Sequence, residues 1–263
     1  MPPQSKHIVI TGATGGIGTA FVNMLAKTKC SMLLCDRDAA KLNDFAADIR
    51  NRYRISVDTH AVNLADGTDV TVLADRLKAE KKIDLFIAAA GYAEKAHFKD
   101  EDIGAVMNMI SVHSLSVVSL VHAILPRMLK RKRGDIIAVS SLAAFIPAPG
   151  SSIYTATKSF INGFLESLHM EVHHKGIRVQ SLCPGLTHTG FHTKEDVKRF
   201  DGIKGLDIWM DADEVVAASL DALGNGSVIC IPGWVNKAIR KTVAVLPRQS
   251  YYSLAEKLAK KNK

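Results

Sequence analysis

The chain of 263 residues is 47% hydrophobic and 23% charged, with a formal net charge of +8. That balance suffices for one large core and excludes a disordered or low-complexity chain. No uninterrupted apolar run reaches the ~18 residues of a membrane-spanning helix, and Cys30, Cys35, Cys183 and Cys230 lack paired spacing, so buried reduced thiols and a cytoplasmic location are expected.

The first candidate strand, residues 7–11, carries Ile8-Val9-Ile10 and runs into Thr11-Gly12-Ala13-Thr14-Gly15-Gly16-Ile17-Gly18. Ala20, Phe21, Met24 and Leu25 then recur at helical spacing. Strand, glycine turn and helix in that order make an anion cradle. Glycine tolerates positive φ and lets the backbone approach a pyrophosphate, while the helix start offers free N–H groups and a positive dipole. The second candidate strand, 31–35, ends at Asp36, about twenty residues past the turn, where a carboxylate grips ribose hydroxyls and repels a 2′-phosphate. NAD(H) is therefore the expected cofactor, and Arg37, able to clamp a phosphate bidentately, keeps NADP(H) open.

Further candidate strands near 55–61, 84–88, 135–140, 177–182 and 227–231 alternate with helical patterns. Leu85-Phe86-Ile87-Ala88 and Ile136-Ile137-Ala138-Val139 are apolar enough for central strands covered on both faces. The pattern predicts an α/β fold: a Rossmann-type doubly wound parallel sheet of about seven strands, helices on both faces, as a single domain over 1–263. Ligands of such sheets gather beyond the strands' carboxyl ends, where Ser141 and the run from Tyr154 to Lys158 fall. Positions four apart share one helix face, so Lys158 lies beside Tyr154. A phenol titrates near ~10, and a neighbouring ammonium favours phenolate, which suits proton exchange with an alcohol or ketone.

Thr11-Gly12-x-x-x-Gly16-x-Gly18, Asn108, Val139-Ser140-Ser141, Tyr154-x-x-x-Lys158, and Pro184-Gly185 followed by Thr187 and Thr189 stand in the order of one family. From about residue 7 to about 232 the chain resembles a short-chain dehydrogenase/reductase. The resemblance implies an NAD(P)-dependent oxidoreductase with Tyr154 as general acid/base and Lys158 beside it on the cofactor's ribose. Ser141 would hold the substrate oxygen, and Asn108 a water that relays protons from the lysine. It further implies cofactor contacts at Gly12, Thr14, Gly16, Ile17, Gly18, Asp36, Arg37, Asn63, Gly91, Tyr154, Lys158, Pro184, Gly185, Thr187 and Thr189. Two departures bear on cofactor affinity: Ala88-Ala89-Ala90-Gly91 where asparagines are usual, and Asn63 where an aspartate usually meets the adenine. Relatives usually pair through the helix holding Tyr154 and the one before the serine strand, so a homodimer or homotetramer is implied.

Residues 186–211 include Phe191, Phe200, Ile203, Leu206, Ile208, Trp209 and Met210 and read either as a substrate lid or as packing of a short helix. With Leu142, Ala143, Phe145 and Ile146 they suit a lipophilic secondary alcohol or ketone, in either direction of reaction. His169, His173, His174, His188 and His192 lack accompanying carboxylates or cysteines, so no metal site is expected. From Lys237 to Lys263 eight basic residues stand against Glu256 alone. The segment 236–263 is read as a basic tail, either packed on the body or meeting an anionic membrane surface or an acidic carrier protein. Nucleic acid is not expected, because stacking aromatics are missing from the basic runs. Two rival readings are a catalytically idle cofactor-binding scaffold, whose sign would be a missing tyrosine or lysine, and an NADPH-dependent acyl-ketone reductase.

Overall fold

The computed structural model describes residues 6–93, 96–190 and 208–260. Seven parallel strands form one sheet: β1 His7–Thr11, β2 Ser31–Asp36, β3 Val57–Ala61, β4 Leu85–Ala88, β5 Gly134–Val139, β6 Ile177–Leu182 and β9 Ile229–Cys230. Their order, β3-β2-β1-β4-β5-β6-β9, is the doubly wound arrangement expected from the sequence. The order reverses between β1 and β4, which opens a crevice at their carboxyl ends.

Alternation along each strand splits the core in two. Ile8, Ile10, Met32, Leu34 and Ile87 bury against α1 (Gly16–Ala26), α2 (Ala39–Tyr53) and α7 (Ala212–Gly224). Val9, Leu33, Phe86, Ile136 and Val179 bury against α3 (Gly67–Ala79), α5 (Ser116–Arg131) and α6 (Ser152–Val172). Aspartates start several of these helices. Asp38 accepts from Lys41 N at 3.0 Å and Asp66 from Thr68 N at 2.7 Å, while Asp211 and Glu214 form a capping box on α7.

Helix α4 (Ile103–Ile110) continues through a π-helical turn, Ser111–Leu115, into α5. The stretch Ile103–Arg131 is long and apolar enough to cross a bilayer by length and composition, yet half of its most apolar window is buried inside the fold. At the amino ends of the strands Asp84 accepts from His7 N at 2.9 Å and pairs with Lys82 at 3.1 Å and Arg131 at 3.5 Å.

The region after β6 departs from a simple loop. Short strands β7 (Leu186–His188) and β8 (Trp209–Asp211) pair in parallel, a feature their three-residue lengths hid from the sequence pattern. Ile208 and Trp209 pack with Val235 as core, and Met210 packs on the cluster that holds Ile8, Ile10 and Met32. Phe191, Phe200, Ile203, Leu206 and His192, the remainder of the lid and histidine readings, lie outside the described residues. The basic tail is helical, with α8 at Trp234–Val245 and α9 at Arg248–Lys260. Tyr251 of α9 is buried and donates to Pro147 O at 2.7 Å. All four cysteines are buried free thiols.

Candidate active site

The glycine turn follows β1 into α1, and its shape depends on two glycines. Gly12 has φ +68°, and a Cβ there would meet the Ala89–Ala90 backbone; a Cβ on Gly18 would strike the Gly12 carbonyl. Gly16 is covered by Thr189, which brings the segment after β6 over the start of α1. The turn is tied to β2 by Asp36, whose Oδ2 accepts from Thr14 N at 2.8 Å and Thr14 Oγ1 at 2.9 Å, while Oδ1 accepts from Arg37 N at 2.7 Å.

A groove of about 1040 Å³ runs along these strand ends, lined by Gly12, Thr14, Gly15, Asp36, Arg37, Asn63, Ala90, Gly91 and Asn108. Asn63 Oδ1 accepts from Ala65 N at 3.2 Å, so its carbonyl braces its own turn and the amide N–H₂ is the group left for a ligand. Thr187 Oγ1 donates to Gly185 O at 3.1 Å, Pro184 O accepts from Leu142 N at 2.8 Å, and Gly185 backs onto Asn236. The exposed backbone of Gly15 and Gly16, the N-terminus of α1 and the carboxylate at the far end fit a dinucleotide cofactor.

Next to Gly91 of the groove's lining, Ser141, Tyr154 and Lys158 come together. Ser140 Oγ donates to Lys158 O at 2.9 Å, which fixes α6 against the end of β5. Ser141 caps the short 3₁₀ turn Leu142–Ala144 by accepting from Ala143 N at 3.1 Å, and it hydrogen-bonds the Tyr154 hydroxyl. Lys158 is 4% exposed; its Nζ donates to Val139 O at 2.9 Å and sits 5.6 Å from the centre of the Tyr154 ring. Burial lowers the Lys158 ammonium to a pKa of about 8. Burial also pushes the Tyr154 phenol up, against the hydrogen bond from Ser141. The sequence reading expected a depressed phenol. In the protein alone, desolvation is the largest influence on the phenol, and the Lys158 ammonium is turned toward the Val139 carbonyl.

Asn108 is expected from the resemblance to hold a water relaying protons from Lys158. Asn108 is exposed on α4 and lines the open groove. The residue that packs against the tyrosine and lysine is His113, one turn and a half further on, in the π-helical turn. Its Nε2 accepts from Tyr92 N at 3.1 Å, so the proton of the neutral ring is on Nδ1, which donates to Thr157 Oγ1 at 3.1 Å. Thr157 in turn donates to Tyr154 O at 2.8 Å. Burial and then the Lys158 charge hold His113 down to a pKa of about 2. Gly91 faces both side chains: a Cβ there would lie 3.2 Å from His113 Nε2 and 3.4 Å from Lys158 Nζ. The available sequence signal was a polar run, His113-Ser114, inside an otherwise apolar helix.

Beyond Ser141 an apolar wall is built from Leu142, Cys183 and Ile231 with Phe145, Ile146 and Ile239 of α8. Among the described histidines, His188 stacks on Trp209 at 4.9 Å and His169 on His173 at 4.7 Å, both as packing pairs.

Comparison with known proteins agrees with this architecture. The family described as short chain dehydrogenase matches residues 6–199. An uncharacterised oxidoreductase from Staphylococcus saprophyticus is 30% identical over 71% of the chain and 80% of its own length. The human very-long-chain 3-oxoacyl-CoA reductase is 32% identical over 70% of the chain, and the match spans 60% of that protein's length. A short-chain dehydrogenase from Sphingobium yanoikuyae, solved with NADPH, superposes with a TM-score of 0.78 at 26% identity, covering 92% of this chain and 96% of the other.

Proposed function

The chain belongs to the short-chain dehydrogenase/reductase family of NAD(P)-binding oxidoreductases, and from that premise we propose that it interconverts a lipophilic secondary alcohol and its ketone. The observation that carries the reading is the convergence of the Ser141 hydroxyl, the Tyr154 phenol and the buried Lys158 ammonium beside a groove fit for a dinucleotide. When bound, the nicotinamide supplies or takes up the hydride. The chain's own part is to orient the substrate oxygen and move one proton. Ser141 and Tyr154 together hold the substrate oxygen. The phenol, kept protonated by burial, gives its proton to the developing alkoxide, so the resting state suits reduction. Lys158 supplies positive charge to the proton path and a donor to the ribose. The wall of Leu142, Phe145 and Ile146 excludes water and favours an apolar substituent.

Asp36 at the ribose end supports NAD(H), since its carboxylate repels a 2′-phosphate. A second reading, NADPH-dependent reduction of an acyl ketone, draws on Arg37 at the groove's rim and on the similarity to the human 3-oxoacyl-CoA reductase. Titration with NADH and with NADPH, followed by nicotinamide fluorescence, separates the two: tighter NADH binding supports Asp36 as selector, tighter NADPH binding the second reading. Tyr154→Phe is expected to retain cofactor binding and lose ~10²–10⁴-fold in turnover of a bulky ketone. An active variant would refute the acid/base role.

A further inference from the structure

Helix α8 carries two apolar stripes. With 3.6 residues per turn, Val235 and Ile239 fall on one stripe and Trp234, Ala238 and Val245 on another, about 100° around the helix. The first stripe faces the body: Val235 is buried with Ile208 and Trp209, and Ile239 joins both that cluster and the wall beyond Ser141. The second stripe is bare. Trp234 is 73% exposed and Val245 81%, the two most exposed large apolar side chains described. Lys237 and Lys241 lie along this stripe, both exposed. Helix α9 adds exposed Tyr252 and Leu254, and the segment from Lys237 onward holds eight basic residues against one acidic.

A face that mixes an indole, aliphatic groups and lysines has the composition of an interfacial helix. The indole rests at headgroup level, and lysine stems lie along the apolar surface while their ammonium groups reach lipid phosphates. The ridge from Trp234 to Val245 spans three turns, ~16 Å of helix axis, and its surroundings match a surface of opposite charge. We infer that α8 docks this ridge on an anionic lipid bilayer. Because the neighbouring stripe of the same helix closes the wall beside Ser141, docking sets that wall close to the membrane, where lipophilic molecules concentrate. The inference goes beyond the redox reading and stands independently of it.

The test uses the whole protein with phosphatidylcholine vesicles, with and without phosphatidylserine, and with brominated phosphatidylserine as a quencher of tryptophan. Expected are sedimentation with the anionic vesicles only, weakening as salt rises, and quenching of indole fluorescence. Trp234→Phe keeps sedimentation and loses the quenching, since Trp209, the other of the two tryptophans, is buried. The combined variant Trp234→Ser, Lys237→Glu, Lys241→Glu lowers the partition coefficient roughly tenfold or more, with an unchanged circular-dichroism melt as the check on folding. Failure to sediment with anionic vesicles overturns the inference, as does sedimentation without quenching or sedimentation that the triple variant leaves unchanged. Trp234-dependent self-association without lipid would assign the ridge to a second copy of the chain. Binding to polyglutamate but not to vesicles would assign it to an acidic protein.

Discussion

Lys158 carries its ammonium below a pKa of about 8 and loses it above, because burial disfavours the charged form. If that charge serves the proton path, kcat/KM for ketone reduction falls above about pH 8, and Lys158→Arg, which stays charged, moves the fall to higher pH. A pH series on both proteins measures this. His113 faces Lys158, Tyr154, Tyr92 and Thr157 and stays neutral down to a pKa of about 2, so it adds no acid limb to the rate profile. It does make the fold acid-sensitive. Its folded pKa is depressed below the ~6.5 of an unfolded histidine, so its contribution is complete above that pH and is lost below it. Urea melts should lose ~1.4 kcal/mol per pH unit well below 6.5, and His113→Asn, which keeps one donor and one acceptor, should flatten that slope. Tyr154, Lys158 and Ser141 stood out in the sequence because spacing fixes a helix face and a strand end. His113 did not, because the π-helical turn changes which side of the helix faces inward, and a regular 3.6-residue reading passes over it.

At the scale of elements, the sheet was legible wherever strands were long and apolar, since β1, β2, β4, β5 and β6 are buried on both faces and bounded by turns. The pair β7–β8 was not, for three residues carry no period. The tail's charge was plain in the sequence, which left a tail packed on the body and a surface-binding tail as alternatives, and its two helices with a buried and a bare face emerge only in the fold. The brace at the amino ends of the strands also arises only in three dimensions. Asp84 is 3% exposed and joins β1 to Lys82 and to Arg131 at the end of α5. Asp84→Ala should destabilise by about 2 kcal/mol, less than a fully buried pair would, because the two cations keep partial solvation. Urea denaturation measures it. KM should be unchanged, since this end of the sheet is opposite the groove.

Across the whole molecule, the groove and the wall come from different parts of the chain. The groove is lined by residues between Gly12 at the end of β1 and Val112 in the π-helical turn, whereas the wall is completed by Ile239 and held by Tyr251 on Pro147. Tyr251→Phe removes that hydrogen bond, at a cost of ~1 kcal/mol, and loosens the segment following Ser141. Steady-state kinetics should show KM for a bulky ketone raised several-fold with kcat nearly kept. The same connection sets an order in time. As the polypeptide leaves the ribosome, the cofactor crevice is assembled from early-made strands, and the hydrophobic side of the cleft stays open until α8 and α9 emerge. The residues made first therefore hold the nucleotide site, and those made last complete the selectivity of the cleft.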